Sequence, residues 1–595
     1  MEKRIQFIAG MMMIISFTCS AQTIYVDLSN NTGIEDGTEQ HPFNTIKEGI
    51  NAASPGNTVM IKSGTYIPDD SWSGNDHTLL LKAGVSLIGE SRENTIIAGI
   101  VVDQETSNLS IGLEKLKFDE FHFIRATHAG PFNDKNIIRN CATTLISPGF
   151  GAGIPVNDTT PGPNFGFQIE NNDLGNEGII EFKQGAGASE LIVLSNKCGY
   201  IYLKSGGGYK YTIDNNDVRY GIFDKSGANK TTISNNRISN GTIDDRSGGT
   251  GYGVEDEIIE NNTIIADETS PAFIDEDYKA GIIAKSRSVT IRNNVITCTG
   301  NVSGIRSYAG APLHIIGNTI SLDEVQTPNP DPVEGTSGIF NLSGKGYVSG
   351  NKINGGQHGY FSKAGTVEFA HNEIEKSYTG FYSMGAEVVH NNSVKNCYGD
   401  GMILDGLRGP IFNNIVKDNS GSGIRILRAP VDLGGGQDSC PGLNMITGNG
   451  NYDLYIETTN SQFPEIYARF NVWDHTDTLE IMQYDIRDGN DSIGLVKVDF
   501  TPAGSLGIAG FALADQVRIS PNPCGKVVSI QSEEFSRKAS FLEVFAISGL
   551  KMKGIEIPVG NKAYILDVSS FPAGVFFLKL NFGKEFVIKK LIKIE

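Results

Sequence analysis

The sequence has 595 residues, of which 71 are glycine and 39% are hydrophobic, and its formal net charge is −19. This length predicts more than one domain, and the glycine content favours a bend-rich β protein over a helical one. The acidic balance argues against nucleic acid or an anionic membrane as a partner, although a local basic groove could still bind an anionic polysaccharide.

The first 21 residues have the features of a secretory signal peptide. Lys3 and Arg4 provide a positive start, residues 5–17 are apolar, and Ala21 is a small residue at the expected cleavage point. A lipoprotein signal that uses Cys19 is the alternative, but the residues before this cysteine do not have the expected spacing. No other stretch is long and apolar enough to span a bilayer.

Residues 22–102 are predicted to form an N-terminal cap and the first coils of a repetitive β structure. A strand is followed by a loop and by a short amphipathic helix within 43–53. Such a helix covers the terminal coil, whose unpaired strand edge and core would otherwise promote end-to-end association.

From Asn171 onward, a short phrase recurs that reads apolar, any residue, Asn, Asn, any residue, apolar. Later copies keep only the second asparagine of the phrase. The predicted second positions are Asn172, Asn216, Asn236, Asn262, Asn294, Asn318, Asn351, Asn372, Asn392, Asn414 and Asn449. Asn216 and Asn236 are 20 residues apart, and a period in the twenties made of short β-branched runs predicts a solenoid of stacked coils.

Asparagine suits the bend of such a coil for two reasons. It adopts the left-handed backbone conformation at lower cost than most residues with a Cβ atom. Amides at the same bend of successive coils can also hydrogen-bond to one another as a ladder. We therefore expect the repeated asparagines, and His371 in the first asparagine slot of its repeat, to be structural.

These repeats resemble the right-handed parallel β-helix of the pectate-lyase-like superfamily. The resemblance implies an all-β solenoid over residues 103–503, including a closing coil near 466–474. Six cysteines follow the signal segment, and their positions favour buried thiols over disulfides or a zinc site. These cysteines are Cys141, Cys198, Cys298, Cys397, Cys440 and Cys524.

After a predicted linker at 504–512, residues 513–595 contain no asparagine phrase and indicate a small β-sandwich. The segments VRISPNP (517–523), VFAISG (544–549), LDVSSFPAGVFFLK (566–579) and KKLIK (589–593) resemble the type-A sorting domain of the type IX secretion system. The resemblance implies that the type IX machinery exports the protein across the outer membrane to the medium or the cell surface. A carbohydrate-binding sandwich is the alternative.

Function on a β-helix is expected on an outer strand face, where side chains of successive coils align about 4.8 Å apart. Counting from the glycine of a second repeated phrase, position +1 is apolar and should point inward, so positions +2 and +4 should point outward. Position +2 holds Phe223, Arg306, Phe340, Phe361, Tyr382 and Arg425, and position +4 holds Lys225, Lys285, Tyr308, Lys363 and Asp405.

Aromatic and basic side chains on one exposed face suit sugar rings and their carboxylates. The predicted substrate-binding residues are Phe340, Phe361, Tyr382, Arg306, Tyr308, Arg408 and Arg428. The alternative is that the strand bends at position +2 and turns these aromatic residues into the core.

The predicted catalytic residues are Lys363, Arg425, Asp405 and Asp400. In a β-eliminating lyase, Lys363 or Arg425 would be the base, and the two aspartates would bind calcium or hydrogen-bond the substrate. In a hydrolase, Asp400 and Asp405 would be the carboxylate pair that flanks the scissile bond.

The sequence thus predicts an exported, monomeric protein that acts on an acidic polysaccharide as a lyase or a hydrolase, with Ca²⁺ as a possible cofactor. The alternative is a non-catalytic glycan-binding or adhesion protein of the cell surface with the same fold.

Overall fold

A computed structural model describes most of the chain between residues 21 and 594. The described residues are 21–103, 109–125, 135–150, 166–182, 190–204, 208–226, 228–245, 256–273, 278–308, 312–329, 335–407, 409–428, 431–436, 440–457, 459, 465–504, 517–532, 535, 540–546, 551–560, 562–582 and 585–594. The chain divides into two compact units, 1–504 and 505–595. The signal peptide and the linker lie almost wholly outside the described residues and stay predictions.

The predicted cap helix is confirmed and spans Ile46–Ala52. Its first turn is held by a capping box, in which the Thr45 hydroxyl accepts from the Glu48 backbone N–H and the Glu48 carboxylate accepts from the Thr45 backbone N–H. Gly49 lets the helix approach closely, because a Cβ atom there would lie 2.6 Å from a Val26 methyl group.

The first unit is a parallel β-helix whose coils contribute strands to three sheets. The first sheet contains, among the described residues, 16 strands in chain order. These are Thr23–Val26, Thr58–Ile61, Ser86–Gly89, Gly112–Glu114, Asn136–Arg139, Gly166–Glu170, Glu190–Leu194, Gly208–Asp214, Ala228–Ser234, Asp256–Glu260, Val289–Arg292, Leu313–Ile316, Lys345–Ser349, Thr366–Ala370, Val388–His390 and Ile411–Phe412.

The second sheet follows the asparagine bend of each coil, and the third sheet follows the next corner. The strands of the second sheet are Arg237–Ile238, Thr263–Asp267, Val295–Thr299, Thr319–Glu324, Lys352–Gly356, Glu373–Glu375, Ser393–Lys395, Ile415–Lys417 and Met445–Thr447. The strands of the third sheet are Asp70–Trp72, Asn75–Leu80, Ile100–Asp103, Glu120–Arg125, Leu145–Phe150, Ile179–Phe182, Lys197–Leu203, Asp217–Asp224, Thr242–Asp245, Ala280–Ala284, Ser303–Ser307, Ser337–Asn341, His358–Ser362, Thr379–Ser383, Met402–Asp405, Ile424–Arg428, Leu454–Ile456 and Ile486–Arg487.

Small elements complete this unit. Strands Gly64–Tyr66 and Thr95–Ile97 pair with each other, and Asp432–Gly434, Glu465–Ala468 and Lys497–Asp499 form a three-stranded sheet. The short helical segments are Pro271–Phe273, Thr478–Glu480 and Ile481–Asp485. No helix among the described residues is long and apolar enough to cross a membrane.

The interior of the coils is filled by files of aliphatic side chains. In the first sheet, Ile233, Ile259, Ile291 and Ile315 occupy neighbouring positions on successive strands, and all four are fully buried. Each buried side chain of this size contributes about 1.5–3 kcal/mol. The β-branched residues of the repeats therefore supply both the strand preference and the core.

A ladder of buried asparagines, confirmed for all but one of the predicted positions, runs along the bend after the first sheet. The side-chain oxygen of each member accepts hydrogen bonds of 2.8–3.1 Å from the backbone N–H and the side-chain amide of the preceding member. The members are Asn172, Asn196, Asn216, Asn236, Asn262, Asn294, Asn318, Asn351, Asn372, Asn392, Asn414, Asn444 and Asn471.

The residue before each ladder asparagine has a left-handed backbone, with φ between 54° and 67°. His371 is one of these residues, with φ of 59°, which supports its predicted role in the bend. The prediction for Asn449 is wrong, because this residue pairs with Asn419 at another corner and Asn444 continues the ladder. Leu443 occupies the left-handed position before Asn444, and leucine is not a residue that predicts such a bend.

The six cysteines that follow the signal segment are buried and form no disulfide with one another, as predicted. Burial raises the pKa of the Cys141 and Cys298 thiols to about 12, so these thiols are protonated and unreactive in the folded protein.

The second unit is a β-sandwich with its own hydrophobic core. One sheet contains Arg518–Ser520, Val527–Gln531 and Ala563–Asp567, and the other contains Lys551–Ile557, Ser540–Ala546, Gly574–Phe582 and Glu585–Lys593. All described pairings within these two sheets are antiparallel.

Candidate functional site

The outward side of the third sheet carries most of the predicted site residues. Ile305, Ile339 and Ile424, at position +1 of their repeats, belong to the interior core and are fully buried. The next residue of each strand therefore points outward. The strand register places these outward residues side by side in an outer file, which consists of Tyr202, Phe223, Asp244, Ile283, Arg306, Phe340, Phe361, Tyr382, Ile403, Arg425 and Tyr455.

The aromatic residues in the middle of the outer file form a closed stack. The ring centroids of Phe340 and Phe361 are 5.3 Å apart, and those of Phe361 and Tyr382 are 5.2 Å apart. With Ile403 they form a hydrophobic cluster that is separate from the interior core, so the strand does not turn them inward. Phe340 is 1% exposed and Phe361 is 0% exposed, and the His358 ring packs 5.3 Å from Phe361. The prediction that these two rings offer an open face to a sugar is therefore wrong.

Arg306 is held in place by its neighbours. Its guanidinium lies between the rings of Tyr278, at 4.3 Å, and Phe340, at 4.1 Å. Its Nε donates to the Tyr308 hydroxyl at 3.3 Å, and the residue is only 4% exposed. Arg306 therefore stabilises the stack through cation–π contacts and is not open to a substrate carboxylate, contrary to the prediction. Tyr308 is partly exposed.

The C-terminal end of the outer file is polar and consists of two ion-paired groups. In the first group, the Tyr382 hydroxyl donates to Asp405 Oδ2 at 3.0 Å, and Arg428 Nε pairs with Asp405 Oδ1. Burial and the nearby Asp405 carboxylate raise the pKa of Tyr382 to about 12, so the hydroxyl stays protonated. The Arg428 side chain is 68% exposed, so much of its guanidinium is open to a ligand.

In the second group, Arg425 joins two carboxylates. Its Nη2 lies 2.6 Å from Glu457 Oε1, and its Nη1 lies 3.3 Å from Asp400 Oδ2. Burial alone would lower the pKa of Arg425, but Glu457 and Asp400 outweigh this effect and raise it. The Arg425 guanidinium therefore stays charged, which contradicts its predicted role as a catalytic base.

Lys363 and Arg408 complete the predicted set. Lys363 follows the strand that carries Phe361, and its side chain is exposed with no ion-pair partner among the described residues. Arg408 lies outside the described residues.

The ion pairs limit the chemistry of this polar end. Glycoside hydrolysis requires one protonated carboxyl group as the general acid. Arg425 pairs with Asp400 and Arg428 pairs with Asp405, so an arginine already occupies each of the two carboxylates. The arrangement therefore does not support the Asp400–Asp405 pair as hydrolytic residues, and Lys363 is the predicted base that has no ion-pair partner among the described residues.

The same ion pairs oppose calcium binding at Asp400 or Asp405, because a cation there would also face the arginine that neutralises the carboxylate. Among the described residues, three carboxylates elsewhere have oxygens that all lie within 4.8 Å of one another: Asp453, Asp474 and Asp485. Burial raises the pKa of Asp453 to about 7. These residues are the best-placed ligands for a divalent cation, and calcium stays a prediction.

Sequence reasoning missed two residues that complete the outer face. Glu457 follows Tyr455 by two positions, so strand alternation places both side chains outward. No glycine phrase marks this strand, so its register with the neighbouring strands could not be predicted from the sequence. Tyr278 covers Arg306 from a segment between strands, where periodicity carries no information about position.

Three family models match parts of the chain. Residues 178–353 match the model described as right handed beta helix region. Residues 29–113 and 314–479 match a model described as protein of unknown function (DUF1565), and residues 518–595 match the secretion system C-terminal sorting domain.

No curated protein matches the chain. One solved structure that matches is the A-module of the mannuronan C-5 epimerase AlgE6 from Azotobacter vinelandii, with 14% sequence identity. The match covers 77% of this chain and 93% of the epimerase module, with a TM-score of 0.15. A TM-score this low supports no functional argument.

These matches agree with the architecture of the two units. The solenoid is a right-handed β-helix, as predicted. The C-terminal domain is a type IX sorting domain, which makes the protein a secreted or cell-surface protein.

Proposed function

We propose that this exported right-handed β-helix protein binds a polysaccharide along its outer file, chiefly through the hydroxyl groups of the sugars. The observation that supports the proposal is the paired polar end, in which Tyr382, Asp405 and Arg428 form one hydrogen-bonded group and Arg425, Asp400 and Glu457 form another. Such groups present donors and acceptors side by side at fixed positions, as the adjacent hydroxyls of a sugar require.

The spacing of the coils fits a polymer. Strands of neighbouring coils lie about 4.8 Å apart, which is about the length of one sugar residue in a chain. The polar end contains two arginines and three carboxylates, and Lys363, which follows the neighbouring strand, brings the number of basic side chains to three as well. A polyanion would therefore find little excess positive charge, and we expect binding to neutral chains to persist in high salt.

Arg428→Ala tests this proposal. The exposed Arg428 side chain offers N–H groups that Asp405 does not use, so its loss should weaken polysaccharide binding by about tenfold. Binding is measured for the full chain by affinity electrophoresis and calorimetry on a panel of neutral and acidic polysaccharides, at low and high salt.

The matched control is Arg237→Ala, which removes an equally exposed, ion-paired arginine from the second sheet. This variant should bind like the unmodified protein. Equal binding by both variants, or no binding to any member of the panel, would contradict the proposal.

A lyase activity is the second candidate, and the exposed position of Lys363 beside the polar end is the observation that favours it. This residue follows the strand next to that of Tyr382 and has no ion-pair partner among the described residues. If Lys363 is the base, acidic polysaccharides should yield unsaturated uronates, seen as new ultraviolet absorbance, and Lys363→Ala should lower the rate by at least about 100-fold. Reducing ends without new absorbance would indicate hydrolysis, and no products in either assay would leave binding alone.

A further inference from the structure

A second aromatic cluster lies at the N-terminal end of the outer file, and we name it the tyrosine patch: Tyr200, Tyr202, Tyr220 and Phe223. The rings of Tyr200 and Tyr220 are stacked with centroids 4.9 Å apart, and Tyr202 and Phe223 are stacked at the same distance. The rings of Tyr200 and Tyr202 lie side by side at 5.4 Å and only 16° from parallel. These contacts form a continuous aromatic shelf outside the interior core.

The tyrosine patch is open where the central stack is closed. Tyr220 and Phe223 form its buried base, at 6% and 7% exposure, and pack with Ala272. Tyr200 and Tyr202 are partly exposed, and their hydroxyl groups have no hydrogen-bond partner among the described residues. Burial raises the pKa of Tyr202 to about 12, so its hydroxyl stays a donor at physiological pH.

Charged groups at the edges of the tyrosine patch provide further polar contacts. The Arg219 guanidinium lies 4.9 Å from the Tyr220 ring, and Lys204 Nζ lies 4.9 Å from the Tyr202 ring. Glu177 accepts from Arg219 at 2.6 Å and from the Tyr220 hydroxyl at 2.8 Å. Aromatic rings with hydrogen-bonding groups at their edges suit the face of a pyranose ring and the hydroxyls around it.

The tyrosine patch is aligned with the polar end. Tyr202 and Tyr382 belong to the same outer file, separated by seven strand-to-strand steps. At about 4.8 Å a step this separation is about 34 Å, on the order of seven sugar residues. The six residues of the outer file between them are buried: Phe223, Asp244, Ile283, Arg306, Phe340 and Phe361.

We propose that the tyrosine patch is a second carbohydrate subsite, which stacks the sugar rings of the same polysaccharide whose hydroxyls bind at the polar end. This inference rests on the proposed function. A long chain occupies both subsites and gains affinity from their linkage, whereas a short oligosaccharide occupies one subsite at a time.

The test uses Tyr202→Ala and Tyr202→Phe in the full chain, with a polysaccharide from the panel and its oligosaccharides of three and of twelve residues. Tyr202→Ala should weaken binding of the polymer and the twelve-residue chain by about tenfold. Tyr202→Phe keeps the ring and should stay within about threefold of the unmodified protein. Tyr347→Ala is the control, because it removes a tyrosine that is 39% exposed on the first sheet, and it should change nothing.

The outcomes separate the two proposals. A loss in Arg428→Ala with no loss in folded Tyr202→Ala overturns the second subsite and leaves the proposed function standing. A loss in Tyr202→Ala alone supports the tyrosine patch and contradicts the polar end. If Tyr202→Ala melts at a lower temperature than the unmodified protein, Tyr202→Phe and Lys204→Ala supply the comparison. The inference is then overturned if Lys204→Ala binds with unchanged affinity and the unmodified protein binds short and long chains equally well.

Discussion

Replacing Asn294 with alanine is expected to lower the free energy of unfolding by about 3–5 kcal/mol, because it opens the asparagine ladder in its middle. Asn294 is fully buried, and its side-chain oxygen accepts from both the backbone N–H and the side-chain amide of Asn262. Its own amide donates to the Ile259 carbonyl at 3.0 Å. Alanine would leave the buried backbone N–H of Asn262 without its partner, which costs about 1–3 kcal/mol. It would also remove one hydrogen bond each, about 1 kcal/mol, from the Ile259 carbonyl and from the Asn262 side-chain amide, which still donates to the Ile233 carbonyl.

Chemical denaturation followed by circular dichroism measures this loss. Asn293→Gly is the matched control at the adjacent position, where φ is 56° and the side chain is exposed. Glycine adopts this left-handed conformation readily, so the control should stay within about 1 kcal/mol of the unmodified protein. If Asn294→Ala costs no more than Asn293→Gly, the ladder does not stabilise the coils.

The second large effect is a pH dependence that arises from acidic residues inside the coils. Asp245 and Glu257 are both fully buried, and their carboxyl groups interact directly. Asp245 accepts from Ser286 and from the backbone N–H of Lys285, while neither oxygen of Glu257 has a hydrogen-bond donor among the described residues. A proton shared between the two carboxyl groups satisfies this arrangement.

The direction of the pH effect follows from these pKa values. Burial raises the pKa of Asp245 to about 6, and burial with the neighbouring Asp245 raises the pKa of Glu257 well above its usual value. The nearby buried Asp224 acts in the same direction. The folded protein thus binds protons that the unfolded chain releases near pH 4, so this contribution to stability is complete below pH 4 and is lost as the pH rises. For Asp245 the loss between about pH 4 and pH 6 is about 3 kcal/mol.

Glu257→Gln tests this effect, because the glutamine amide can donate to Asp245 and remove the need for a shared proton. The variant should gain about 1–3 kcal/mol of stability over the unmodified protein at pH 8 and little at pH 5. Thermal unfolding at a series of pH values measures both. Glu373→Gln, an exposed control, should leave the pH profile unchanged, and a Glu257→Gln profile parallel to that of the unmodified protein would rule out the shared proton.

Much of the fold was predictable because the same local requirement recurs in every coil. The residue before each ladder position, most often asparagine, meets the need for a left-handed bend, and the apolar positions around it meet the need for a core. The prediction was wrong at Asn449, where the coil uses Leu443 and Asn444 instead. At that point the three-dimensional bend is kept while its sequence signature is lost.

The sequence correctly predicted that the side chains named below point outward, but it wrongly predicted that they are all exposed to solvent. Alternation correctly placed Phe361, Arg306 and Arg425 on the outward side of the third sheet. Whether an outward side chain is open depends on what packs over it: Tyr278 covers Arg306 from a segment between strands, and the His358 ring packs against Phe361 of its own strand. The open rings of the tyrosine patch, Tyr200 and Tyr202, were missed because they lie before the first of the glycine phrases from which the outward positions were counted.

The amino-acid sequence by itself thus determined the solenoid, its bends and the burial of its cysteines, because these depend on local preferences repeated along the chain. It also determined the identity of the sorting domain, through the resemblance of its segments to a known family. Only the tertiary structure decided which outward residues are open, which arginines are neutralised and which acids share a proton. Most of these properties depend on contacts between residues distant in the chain, such as Tyr382 with Asp405, Arg425 with Glu457 and Asp245 with Glu257, and such contacts leave no periodic signal in the sequence.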